Sequence, residues 1–142
     1  MEIKLCDIDN FNELKEIFNL LKQVWFLDDF DQFKNNIKDF IQLNKREIYI
    51  IKDNNKILGT TTLHYQPKLI RNGCIAGLIE EVVVDENSRG KKIGEKLIKY
   101  VTKKAIENGC YKVILSCFPE RIGFYERCGF MNESHTMRFN IK

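Results

Sequence analysis

An α/β domain built on a mixed central sheet flanked by helices is the fold that these 142 residues predict, and three observations predict it. Apolar side chains recur at helical spacing in several stretches, and β-branched and aromatic residues form short strand-like blocks between them. Turns containing Asn, Asp and Gly separate the blocks and give the order β-α-α-β-β-β-α-β-α-β. One strand–helix–strand unit, residues 75–117, reads as a right-handed parallel crossover, which makes the sheet mixed. A chain of this length fits one core, so residues 1–142 are expected to form one domain.

Residues 2–6, EIKLC, alternate as a short strand does. Asp9 and Asn10 supply a helix cap before Phe11, Leu14, Ile17, Phe18, Leu21 and Val24, a helical stripe that Asp28 and Asp29 end. Phe30, Phe33, Ile37, Phe40 and Ile41 make a second stripe. REIYIIKD and KILGTTTLHYQ flank the Asn54-Asn55 turn as a hairpin, and Pro67 ends its second strand. Asn72-Gly73 then turns the chain into CIAGLIEEVVVD, a long strand. Ile93, Leu97, Ile98, Val101 and Ala105 share one face of a helix over residues 91–108, and Gly109 stops it. YKVILSC is a strand, Pro119 opens a short helix through Arg127, and Gly129 turns the chain. HTMRFNI is expected to close the sheet as a last strand.

Composition narrows the function classes. A net charge of +3 gives no broad field for nucleic acid or a membrane surface, so any anion site must be local. Cys6, Cys74, Cys110, Cys117 and Cys128 are odd in number, widely spread and without a CxxC pair, and no histidine stands at zinc-finger spacing. Reduced thiols in an intracellular protein are the expectation, with neither a disulfide framework nor a metal. The N-terminus lacks a basic segment followed by an apolar run, and no apolar run approaches membrane-spanning length. A cytoplasmic protein is expected.

The stretch VVVDENSRGKKIGEKL, residues 82–97, carries the first chemical signal. A strand that feeds a glycine-containing turn at a helix start leaves unpaired N–H groups at the positive end of the helix dipole, which binds phosphate. Gly90 and Gly94 are expected to let a ligand's oxygens approach the backbone, with Arg89, Lys91 and Lys92 adding charge around a pyrophosphate. The P-loop pattern fails because Glu95-Lys96 follow Gly94, and the dinucleotide fingerprint fails on glycine spacing. A second signal is Glu80-Glu81 inside an apolar strand. Adjacent strand residues face opposite sides, so at most one of the two simply meets solvent, and a carboxylate on the other side must be hydrated or paired. A third is Phe124-Tyr125, two adjacent aromatics that diverge by about 100° on a helix and so should not share one core direction. His64 and His135 have no partner pattern, and Cys117 and Cys128 read as core thiols.

Strand, RGKKIG, helix, strand and then FYERCGF together resemble the GCN5-related N-acetyltransferase (GNAT) superfamily, whose pyrophosphate loop reads [QR]-x-x-G-x-[GA]. Arg89 and Gly94 match that loop, and Lys92 stands at its central glycine. IEEVVVDENSRGKKIG, NGCYKVILSC and IGFYERCGF, with QPKLIRNGC ahead of them, are similar to the eukaryotic-type glucosamine 6-phosphate N-acetyltransferases over roughly residues 57–131. The N-terminal helices match in placement only.

The resemblance implies the GNAT fold and acetyl-CoA as co-substrate. Arg89, Gly90, Lys91, Lys92, Ile93, Gly94 and Glu95 would hold the pyrophosphate, and the pantetheine arm would lie along Val82, Val83 and Val84, where that strand splays from its neighbour. Arg121 stands where the family usually has a cofactor-contacting asparagine. Glu80 and Glu81 would orient the sugar's amine and hydroxyls, Glu81 replacing the usual aspartate, and the Val82 backbone would receive sugar and acetyl groups. Ser116 replaces a family carboxylate that hydrogen-bonds the sugar amine. Lys68 and Arg71 fall in the family's phosphate-side segment, and Arg138 lies near a C-terminal arginine that reaches the neighbouring subunit's site in a homodimer.

Amine acetylation itself needs a neutral nitrogen, a polarised thioester carbonyl and a protonated leaving thiolate. A carboxylate such as Glu80 or a backbone carbonyl would serve the first and the Val82 N–H the second, and Tyr125, at the position where the family resembled keeps a tyrosine, would serve the third. The expected reaction is acetyl transfer to glucosamine 6-phosphate, feeding UDP-N-acetylglucosamine synthesis, by a cytoplasmic homodimer with no nucleic-acid or membrane partner. Ser116 leaves a protein, peptide or polyamine amine as an alternative acceptor. Tyr125 and Glu80 argue against a third reading, a non-catalytic acyl-CoA binding module.

Overall fold

The computed structural model of the chain describes residues 1–141, the side chains of residues 40 and 42–44 apart. Two side-chain caps shape its N-terminal half. The Asn10 carboxamide accepts from the Glu13 N–H at 3.1 Å and starts α1, Phe11–Leu21. The Asp29 carboxylate accepts from the Gln32 N–H at 3.0 Å and starts α2, Phe30–Asn44. Phe40 of the second stripe lies outside the described side chains. The first stripe continues to Val24, yet α1 ends at Leu21. Gln23 explains the early stop: its side chain donates to Asp85 Oδ1 and accepts from the Glu86 N–H, both at 3.1 Å, which pulls the chain off the helix path.

Five strands form one sheet in the order β1 (Glu2–Leu5), β2 (Arg46–Asp53), β3 (Lys56–Pro67), β4 (Ile75–Val84) and β5 (Cys110–Ile114). Every pairing is antiparallel except β4 with β5, which is parallel and bridged by α3, Ile93–Glu107. This is the mixed sheet that the sequence predicts. On one face α3 lays Ile93, Leu97, Ile98, Val101 and Ala105 against Tyr49, Ile51, Leu63 and Ile79. On the other, Ile17 and Leu20 of α1 pack on Ile50, Ile57 and Val83. Each aliphatic side chain buried in this way contributes about 1.5–3 kcal/mol. Phe18 joins the two N-terminal helices through edge-on contacts with Phe30 and Phe33, centroids 5.4 and 5.3 Å away.

The C-terminal third departs from the sequence reading. β5 ends at Ile114, so Leu115, Ser116 and Cys117 lie beyond the sheet, and Cys117 is exposed, not a core thiol. The segment after Pro119 splits into a tight turn, Pro119–Arg121, and α4, Ile122–Arg127. HTMRFNI forms no strand. Its alternation supplies two faces, but a strand also needs an edge to pair with, and β5 stops before the tail can follow it. Among the described residues no helix is long and apolar enough to cross a membrane.

Candidate active site

One irregularity in β4 organises the site. Thr62 pairs with Glu80 and Thr60 with Val83, which leaves Thr61 opposite two residues, Glu81 and Val82. Glu81 absorbs the extra residue by taking φ +56, a left-handed conformation uncommon for a non-glycine. The Thr61 hydroxyl pins the bulge by donating to the Glu80 carbonyl at 3.0 Å, and the Thr62 hydroxyl donates to Glu81 Oε2 at 2.8 Å. As a result Glu80 and Glu81 line the same groove. The strand alternation expected from sequence is overturned here, because a bulge resets the phase of a strand by one residue.

The groove, about 1010 Å³, lies between the connection of α1 to α2 and the sheet. Trp25, Phe26, Asp28 and Asp29 close one side, while Arg46, Thr60, Thr62, Glu80 and Glu81 form the sheet wall, and Ser116 and Arg138 complete it. The parallel pairing stops at Leu78 with Ile114, so the Val82–Val84 stretch runs on past the last β5 partner. Ser116 sits just beyond that point, its Oγ 2.8 Å from Thr136 Oγ1 of the C-terminal tail, and Arg138 follows two residues later along the tail.

Past Val84 the chain makes a short turn, Glu86–Ser88, and enters α3 through Lys92. Lys92 takes φ +58 and provides no side-chain cap, so the first-turn N–H groups of α3 face outward without one. Arg89, Lys91 and Lys92 are exposed around them. Gly90, at φ +81, has no heavy atom within 4 Å of where a Cβ would stand. Gly94 differs from the expectation. A Cβ there would meet the Phe124 ring at 3.1 Å and Val84 at 3.3 Å, so its missing side chain serves helix packing and not ligand approach. The Ile93 side chain is in the core, and Glu95 accepts from Lys99 at 2.7 Å, the pair that holds its carboxyl below the ordinary range.

Tyr125 lies half-buried on α4, edge-on to Phe124 and Phe130 at 4.9 and 6.0 Å. Both Phe124 and Tyr125 pack against the α3 cluster, so their divergence on the helix did not separate core from site. Burial pushes the Tyr125 hydroxyl above its ordinary pKa, with Cys117 and Cys128 adding to the rise and Arg121 opposing it. Arg121 is exposed one turn earlier. Lys68 and Arg71 stand on the turn between β3 and β4, outside the groove, with the Arg71 guanidinium 4.8 Å over the Tyr111 ring.

Two residues at the site carry no motif in the sequence. Arg46, half-buried at the start of β2, lines the groove. Asp85, 5% exposed, accepts from Gln23, Lys56 and Ser88 at the exit of β4. A lone Arg ahead of a strand and an Asp after one resemble ordinary surface charges, and only tertiary structure turns them inward.

Residues 11–130 match the Acetyltransferase (GNAT) family. The chain is 35% identical over 131 residues to the Candida albicans protein named glucosamine 6-phosphate N-acetyltransferase, covering 91% of this chain and 86% of that one. Identity to the Arabidopsis thaliana protein of the same name is 44% over 82 residues, which is 58% of this chain and 55% of that one. A crystal structure of glucosamine-6-phosphate N-acetyltransferase from Arabidopsis thaliana superimposes with a TM-score of 0.85 at 32% identity, over 99% of this chain and 98% of that one.

Proposed function

This chain belongs to the acetyltransferase (GNAT) family, and from that premise we propose that it transfers the acetyl group of acetyl-CoA to the amine of glucosamine 6-phosphate. The observation that carries the acceptor is the groove, where the Glu80–Glu81 pair shares one space with Arg46 and Arg138. Those signs suit a molecule that bears an amine and a phosphate. The uncapped start of α3, with Arg89, Gly90, Lys91 and Lys92 around it, fits the cofactor's pyrophosphate, and the Val82–Val84 stretch fits its pantetheine arm.

When bound, acetyl-CoA supplies an acetyl group activated as a thioester. Glu80 and Glu81 orient the acceptor amine and draw off its proton, directly or through water, in place of the carboxylate that Ser116 lacks. The Val82 N–H donates to the carbonyl oxygen as charge develops on it. The Tyr125 hydroxyl, kept protonated by burial, holds the proton that a leaving thiolate needs. Residues 1–142 act as one domain in this reading, in a cytoplasmic homodimer whose product feeds UDP-N-acetylglucosamine synthesis. Lys68 and Arg71 stand outside the groove of their own chain, so they reach a phosphate only across such a dimer.

Asp28 and Asp29 on the same groove favour a second acceptor class, a cationic peptide or polyamine amine. Thiol release from acetyl-CoA with glucosamine 6-phosphate, glucosamine and a lysine peptide separates the two. Release that is fastest with the phosphate sugar is expected. Release with the peptide alone keeps the chemistry and replaces the acceptor.

A further inference from the structure

We infer that Arg46 binds the anionic group of the acceptor and sets the preference of this chain for a phosphorylated amino sugar over the bare one. The inference rests on the acceptor proposed above and adds the residue that selects it.

Strand register locates Arg46. It pairs with His64, which pairs with Leu78; one row on, Ile48 pairs with Thr62 and Thr62 with Glu80; the row after joins Ile50, Thr60 and Val83. Directly opposed residues share a sheet face. Arg46, Glu80 and Val83 therefore stand in successive rows of one wall, the wall that α1 and α2 cover. Rows two residues apart are roughly 7 Å apart, and β2 and β4 are separated by two strand spacings, roughly 10 Å. The Arg46 and Glu80 Cα atoms are then on the order of 12 Å apart, so that inward-reaching side chains leave room for about one hexose ring between their charges.

His64, between them, registers both charges. Its imidazole is held below the ordinary value by burial and by the Arg46 cation, while Glu80 pulls the other way. The wall is thus dipolar, positive at Arg46 and negative at Glu80, with the Val82–Val84 edge on the far side of Glu80. An amine presented to that edge leaves the acceptor's other end at Arg46. A half-buried guanidinium presents a planar fork of donors that matches phosphate oxygens two at a time. Lys68 and Arg71 cannot do this within their own chain, and Arg138 rides on an exposed tail, whereas Arg46 is fixed in the sheet.

The test compares wild type, Arg46→Gln and Arg46→Lys with glucosamine 6-phosphate and glucosamine, using acetyl-CoA affinity as the check on folding. Arg46→Gln is expected to raise KM for the phosphate sugar by about 10- to 100-fold, the worth of hydrogen bonds to a charged group, with kcat little changed. Its kcat/KM for glucosamine should stay as in wild type, and inorganic phosphate should stop competing with glucosamine. Arg46→Lys should recover part of the loss, and it alone decides the matter if the Gln variant fails to bind acetyl-CoA. If KM moves equally for both sugars, or for neither, the assignment of Arg46 is overturned while the proposed reaction stands. If wild type acetylates only the lysine peptide, the acceptor reading is what fails, and Arg46 with it.

Discussion

Lys92 occupies a left-handed backbone position that an L side chain adopts at a cost of roughly 1–2 kcal/mol. The GNAT loop pattern has glycine there, and the structure gives the reason: α3 starts only after one residue of positive φ. Lys92→Gly should raise stability by about 1 kcal/mol, seen as a melting temperature roughly 3 °C higher. The same change removes a cation from the proposed pyrophosphate site, so the KM for acetyl-CoA should rise. Tyr125→Phe should behave in the opposite sense, slowing turnover by about 100-fold with acetyl-CoA affinity nearly unchanged, as removal of a proton donor does. Unchanged turnover would remove Tyr125 from the chemistry. At this scale the turn from β4 into α3 was legible because its residues are contiguous in sequence. Gly94 was misread because its neighbour, Phe124, is thirty residues away in sequence and 3.1 Å away in space.

Elements meet at Asp85. Its carboxylate joins the end of α1, through Gln23, to the start of β3, through Lys56, and to the turn that precedes α3, through Ser88. The Gln23 hydrogen bond, with those of Lys56 and Ser88 behind it, holds the Asp85 carboxyl below its ordinary value of 3.8 against the effect of burial. A folded-state pKa below the unfolded one means stability that is present above the unfolded value and lost as pH falls through the folded one. Asp85→Asn should therefore destabilise the protein by about 1–3 kcal/mol at neutral pH. Urea melts at falling pH should show the gap from wild type closing below pH 3.8. A gap that persists in acid would mean that Asp85 acts by shape and not by charge. Element identity was readable wherever periodicity was long: β2 and α2 start where the residues say. Ends set by distant partners were not, as at Gln23, where a stripe running to Val24 met a side chain committed to Asp85.

For the whole molecule, the tail is the open question that the fold poses. Met137, Phe139 and Ile141 are 91%, 90% and 88% exposed, alternate with polar residues, and have no partner strand among the described residues. Such an apolar, strand-patterned segment is covered most economically by a second copy of the chain. Sedimentation velocity at micromolar concentration should find a dimer, and Phe139→Asp should shift it toward monomer. Because Arg138 lies on the same tail, the monomer should also lose turnover with glucosamine 6-phosphate while retaining acetyl-CoA binding. A monomeric wild type would refute the assembly. The sequence could announce a sixth strand but not its partner, since alternation encodes faces and says nothing about which chain supplies the edge.

The bulge at Glu81 makes the length of β4 matter more than its composition. Upstream of it the strand is read in one frame by the groove; downstream, Val82 to Val84 are read in the other by α1 and α3. Most substitutions at position 81 would change a contact and leave both frames intact. Deleting that single residue would set Thr61 opposite Val82 alone and leave Val82 to Val84 on their present faces, whereas losing a residue elsewhere in β4 would exchange inside for outside along part of the strand.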